Sequence, residues 1–137
     1  MVKREVIITK LNKLSEYIGF LNKVKNYSKE EYIGDPFIYG ASDRFLHLAI
    51  ESVLDISNHA ISDMRFRKPS SNKEIFQVLL ENKIIPEELK INLSNMAGFR
   101  NILVHDYIKL DREVVYEIII NNLKDIEDFI EIISEYI

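Results

Sequence analysis

The sequence predicts an all-α protein, an antiparallel four-helix bundle with one additional short helix, on three observations. Apolar residues recur at steps of three and four along most of the chain, and turn signals cut that pattern into segments of helical length. No segment alternates apolar and polar residues as a strand would. In order, Val6, Ile7, Leu11, Leu14, Ile18, Leu21 and Val24 mark a first long helix over about residues 2–26. Gly34, Pro36 and Gly40 make Tyr27 to Gly40 a turn with room for a short helical piece. A second long helix runs from about Ala41 to Arg67, with Phe45, Leu48, Ala49, Ser52, Val53, Ile56 and Ala60 facing inward, and Pro69 closes it. Ser71 or Asn72 caps a short helix of about ten residues, and Pro86 opens the next at its first turn. That helix carries Leu89, Leu93, Met96, Ala97, Ile102 and Leu103 and ends around His105. After Asp111 helical spacing continues to the last residue, and Ile119, Ile120 and Ile130 widen its apolar face, which favours a homodimer.

At 137 residues, 47% of them hydrophobic and 29% charged, the chain has the size and composition of one domain, residues 1–137, around one core. With no cysteine it has no disulfide, thiolate metal site or Cys nucleophile, and a reducing cytoplasm is the expected location. No apolar run approaches the roughly 18 to 20 residues that span a bilayer, and charges run through the start "MVKREVIITKLNKL", so neither membrane insertion nor export is expected. The net charge of −4 argues against coating nucleic acid by bulk electrostatics. Acid concentrates at the end: Asp111 to Ile137 holds eight Asp and Glu against Arg112 and Lys124. The only compact positive segment is "RFRKPSSNK", whose Arg65, Arg67 and Lys68 are the candidate RNA contacts, or simply a solvated loop.

The stretch "GFRNILVHDY", Gly98 to Tyr107, gathers Arg100, Asn101, His105 and Tyr107 on an otherwise apolar helix. Polar groups of this kind are costly to bury without partners. Asn101 and His105 stack four residues apart, whereas Arg100 lies about 140° round the axis from His105. Its long stem permits the guanidinium to reach that histidine or the histidine of a partner chain. An imidazole moves protons near neutral pH, and a guanidinium grips phosphate oxygens two at a time, so the pair suits RNA cleavage through the 2′-hydroxyl. The same residues at a helix end also serve to satisfy carbonyls or pair with carboxylates.

A second polar set, Asp43, His47, Glu51, Asp55, His59 and Asp63, recurs every four residues. Such a row drifts about 40° per step around its helix. Alternating carboxylates and imidazoles could bind a divalent metal, but the row lacks the Glu-x-x-His pairs of di-iron bundles, and ion pairing at i, i+4 on a solvated or dimer-facing stripe explains it more cheaply. His59 is either an interior histidine or a border of an RNA cleft.

"RNILVHDY" resembles the signature of the HEPN superfamily in its HepT-like form, R-x-x-x-x-H-x-Y, with Arg100, Asn101, His105 and Tyr107 at the motif positions. The resemblance extends to "RFLHLAIESVLDISNH", "EIFQVLLENKII" and "MAGFRN", in the order that family shows. It implies a dimeric, all-helical ribonuclease toxin of a type VII toxin–antitoxin system that cuts RNA without metal or cofactor. Arg100 and His105 would be the catalytic pair, two copies facing each other across the dimer cleft, with Asn101 in support. It further implies a partner, an MntA-like nucleotidyltransferase antitoxin, that adds AMP to Tyr107. A phosphate and nucleoside placed two residues from the histidine would fill the cleft and compete for Arg100. The alternative is a non-catalytic helical dimer that docks a separate nucleotidyltransferase, with Arg100 binding phosphate and His105 orienting it.

Overall fold

The computed structural model describes residues 4–137, the side chain of Tyr107 excepted. The expected beginning of the first helix at residue 2 lies outside them. Six helices follow in order: α1 (Arg4–Asn22), α2 (Lys29–Gly34), α3 (Pro36–Asp63), α4 (Asn72–Glu81), α5 (Glu87–His105) and α6 (Arg112–Ser134), with 3₁₀ turns at Lys23–Asn26 and Tyr107–Lys109. Strands are absent among the described residues. The four long helices of the bundle are α1, α3, α5 and α6.

The sequence reading departs from the structure first at Tyr27 to Gly40. Ser28 and Glu31 form a reciprocal capping box that starts α2, and the Asp35 carboxylate accepts from the Phe37 backbone N–H at 3.0 Å to start α3. Pro36 then occupies the first turn of α3, where its missing N–H costs nothing, so it opens a helix instead of breaking one. The second departure is the end of α3, four residues before Arg67. Arg65 adopts φ 59°, and the Phe66 N–H bonds the Ile61 carbonyl at 3.0 Å, closing the helix in a Schellman motif without glycine. Lys83, also at φ 59°, closes α4 the same way through Ile84 N–H and the Leu79 carbonyl at 2.9 Å. The cap before α4 is Ser71, and Asp111 caps α6 by accepting from Glu113 N–H at 3.0 Å.

The core faces follow the predicted spacing on α1 (Ile7, Leu11, Leu14, Ile18, Leu21) and α6 (Val115, Ile119, Leu123, Ile126, Phe129, Ile133). Ile119 therefore serves this chain's own core, while Ile120 and Ile130 are half-buried. On α3 the buried set is wider than predicted: Leu46, Ile50, Leu54, Ser57 and Ile61 join Ala49, Val53, Ile56 and Ala60, and Phe45, Leu48 and Ser52 are half-buried. Being packed by α1, α4, α5 and α6, this helix buries more than one stripe. On α5, Leu103 is buried and Ile102 exposed, the reverse of an even apolar face.

Side-chain contacts set the directions. Lys10 bonds Asp55 and the Phe20 ring stacks on Phe45 at 4.7 Å, so α1 and α3 are antiparallel. Asn92 donates to Asp125 at 3.2 Å between antiparallel α5 and α6. The Tyr116 hydroxyl donates to the Tyr27 carbonyl at 2.7 Å, and Arg4 shares a hollow with Ile137, so α1 and α6 are also antiparallel. The end of α5, the start of α3 and the start of α6 therefore meet at one end of the bundle. There Arg112 of α6 pairs with the buried Asp43 of α3 and lies 4.1 Å over the Tyr39 ring. The Tyr32 hydroxyl is buried beside this pair, and desolvation with the Asp43 charge pushes its pKa well up.

Candidate active site

The last two turns of α5 run along this end with one side against α3 and the other open. Arg100 lies on the α3 side: its Nε donates to Glu51, and its NH1 donates to Asn101 Oδ1 at 3.2 Å. The Arg100 side chain keeps 24% of its surface, so the guanidinium is sheltered but reachable. A guanidinium has five N–H donors. Among the described residues two are committed here and three remain.

Glu51 is itself held from its own helix. His47, one turn earlier, places Nε2 3.6 Å from the same carboxylate oxygen, and Arg44 NH1 lies 3.4 Å from His47 Nδ1. A guanidinium only donates, so Nδ1 is the acceptor in that contact and Nε2 is the ring nitrogen nearer Glu51. Positions 44, 47 and 51 are spaced by three and four, so they share one face of α3, and from it Glu51 meets Arg100 of α5. The result is one connected set running Arg44, His47, Glu51, Arg100, Asn101.

His105 stands apart from that set. It lies about 7.5 Å further along α5, at roughly 1.5 Å rise per residue, on the last helical turn. It is exposed, and among the described side chains it has no hydrogen-bond or ion-pair partner. It lines an open hollow of about 400 Å³ with Asp106, Ile108 and Lys109. Tyr107 begins the 3₁₀ turn behind it, pinned by a bond from Lys109 N–H to the Asp106 carbonyl at 2.9 Å. The side chain expected to carry AMP lies outside the described residues. Arg100 and Asn101 are thus brought together within one chain, while the His105 ring faces the open side.

The segment with Arg65, Arg67 and Lys68 is not brought to this site. From Glu51 to the end of α3 is about 18 Å, away from His105, so these residues sit at the opposite end of the bundle. Arg67 is also engaged, with Glu81 at 2.8 Å and Glu74 at 3.4 Å; its hydrogen bond holds the Glu81 carboxyl below its usual range, while that of Glu74 is lowered first by the Ser70 N–H at 2.8 Å and then by Arg67. Near the same far end, α5 and α6 form a groove lined by Glu88, Asp125, Asp128, Glu131 and Glu135 against Lys124. That groove repels a polyanion.

The acidic and imidazole row of α3 divides among neighbours as its drift requires. Asp43 takes Arg112 of α6, Glu51 takes Arg100 of α5, and Asp55 takes Lys10 of α1 with His59 at 3.6 Å. His59 is half-buried. Among the described residues no three such side chains converge as a metal site would require. Sequence reasoning named Glu51 only as a member of this row and did not single out Arg44. The signal for both was their shared face with His47.

Residues 7–133 match the family model described as Ribonuclease HepT-like. The chain belongs to that family. Among HepT relatives, it is similar to the mRNA nuclease HepT of Shewanella oneidensis, 36% identical over 89 residues, which span 65% of this chain and 67% of the relative. It is also similar to the tRNA nuclease HepT of Aphanizomenon flos-aquae, 28% identical over 132 residues, 96% of this chain and 90% of the relative. In three dimensions it resembles the tri-AMPylated Shewanella oneidensis HEPN toxin, solved in complex with its MNT antitoxin. The TM-score is 0.88 at 29% identity, covering 95% of this chain and 97% of the toxin. The HepT-like fold thus extends over nearly the whole chain. No helix among its described residues is long and apolar enough to cross a membrane.

Proposed function

We propose that this HepT-like chain is a metal-independent endoribonuclease toxin, inhibited when a cognate MntA-like nucleotidyltransferase adds AMP to Tyr107. The observation that carries the reading is the placement, on the open last turns of α5, of Arg100 and His105, which among the described residues keep three uncommitted guanidinium donors and a ring without a partner. His105 takes the proton of an RNA 2′-hydroxyl, and that oxygen attacks the adjacent phosphorus. Arg100 stabilises the charge gathering on the phosphoryl oxygens, and Asn101 steadies the guanidinium. The bond to the 5′ oxygen breaks, that oxygen takes up a proton, and a 2′,3′-cyclic phosphate remains. A second His105 across a homodimer is the proton donor at hand.

The homodimer draws support from the site's surroundings. Ile102 and Val104 are each 38% exposed, Ile108 is 99% exposed, and Phe37 at the start of α3 is 91% exposed. Apolar side chains ringing a polar site are what a second copy would cover. RNA enters along the α3–α5 side, since the α5–α6 groove is acidic. Arg65 and Lys68 meet only a strand long enough to follow the bundle to its far end.

AMPylation tests this reading. After incubation with ATP and the nucleotidyltransferase, intact mass should rise in AMP steps and cleavage of single-stranded RNA should fall at least tenfold. In Tyr107→Phe neither change should occur. Undiminished cleavage by fully modified chain would reject blockade, and mass increments that persist in Tyr107→Phe would reject Tyr107 as the site.

A further inference from the structure

We infer that Glu51 is the positioning residue of the site, and that its bond to Arg100 Nε, backed by His47, sets which edge of the guanidinium meets the phosphate. The inference rests on the ribonuclease reading above for its catalytic consequence. Its structural half stands on the α3–α5 contact alone.

A free arginine side chain samples many rotamers, and each must be surrendered before its planar fork can match a phosphate. Here Nε is tied to α3 and one NH1 hydrogen to Asn101. Of the hydrogens that remain, one on NH2 lies beside Nε on the Glu51 edge, and the outer edge between NH1 and NH2 is the one left to grip two oxygens at once. On its own helix Glu51 has His47 beside it, Nε2 standing 3.6 Å from the same carboxylate oxygen and Arg44 NH1 3.4 Å from the other ring nitrogen. The groups facing Glu51 are therefore Arg100 from α5 and His47 from its own helix.

Glu51 also subtracts charge. A carboxylate beside Arg100 weakens attraction to any phosphate, so a residue retained only for RNA affinity would not be acidic here. Orientation and affinity consequently move in opposite directions when Glu51 is removed, and this separates a positioning role from a structural one.

The test compares unaltered chain, Glu51→Gln and Glu51→Ala for cleavage of single-stranded RNA and for binding of a 2′-deoxy oligonucleotide that this chemistry does not cut. In Glu51→Ala, kcat should fall on the order of tenfold to a hundredfold, the penalty of a misplaced catalytic group, while oligonucleotide binding stays equal or tightens. Glu51→Gln keeps an acceptor oxygen and should recover most of kcat. In the protein without RNA, the Arg100 Nε–H nuclear magnetic resonance should shift in Glu51→Ala and stay near its original position in Glu51→Gln. Unchanged kcat in Glu51→Ala, a loss matched by weaker binding, or an unmoved Nε–H signal would overturn the inference. If the unaltered chain does not cleave, the ribonuclease reading fails and the Nε–H signal alone still decides the contact.

Discussion

His105→Ala should lower RNA cleavage by about 10²–10⁴-fold, the range a positioned acid–base group contributes, and leave the fold as stable as before. The stability half follows from exposure: the ring has no hydrogen-bond or ion-pair partner among the described side chains, and surface changes of this kind stay within about 0.5 kcal/mol. Single-turnover cleavage and a thermal melt on the same preparation check both. A histidine that merely satisfied helix-end carbonyls would give the opposite pattern, a lower melting temperature with cleavage retained. The variant should still bind RNA, because Arg100 remains, with three donors that no described residue engages.

Arg100→Ala should cost about 10²–10³-fold in kcat, comparable to losing one donor aimed at developing transition-state charge. Arg100→Lys should restore little of it. An ammonium is a point charge with three rotatable donors and cannot hold Glu51, hold Asn101 and present two aligned donors to phosphate together. The same substitution leaves Glu51 half-exposed without its partner, and the stability cost of that pair is about 1 kcal/mol or less. Cleavage kinetics of the three proteins beside their denaturation midpoints separate the two effects. A lysine variant with near-native kcat would show that charge alone suffices.

Much of the architecture was legible because the helices advertise themselves by the spacing of Leu, Ile and Val and by their caps. Ser71, Pro86 and Asp111 mark three starts correctly. Pro36 misled because proline both breaks helices and opens them, and only Asp35 before it decides which. Arg65 misled for a different reason, whereas α4, closed at Lys83 in the same way, has the ten residues expected of it. A Schellman closure is usually betrayed by glycine, and here two basic residues accept the left-handed backbone instead.

At the site, Arg100, Asn101 and His105 could be picked out from their types and spacing on one helix. Their surroundings could not, because the partner of Arg100 lies 49 positions away on a helix whose pairing depends on tertiary packing. The row containing Glu51 read as one feature, yet packing divides it among three neighbouring helices. The basic run at Arg65, Arg67 and Lys68 drew attention by composition, and antiparallel topology carries it to the wrong end. Sequence shows which charges are adjacent along the chain, whereas the direction of each helix decides which are adjacent in space.

In the proposed reaction a ribose 2′-oxygen, and not a metal-bound water, attacks the phosphorus at the open end of α5. End-group analysis of single-stranded RNA cut in excess EDTA tests it most directly. Cleavage should be undiminished, with 2′,3′-cyclic phosphate on one fragment and 5′-hydroxyl on the other. Cleavage abolished by EDTA and restored by a divalent cation, or fragments ending in 5′-phosphate, would contradict it.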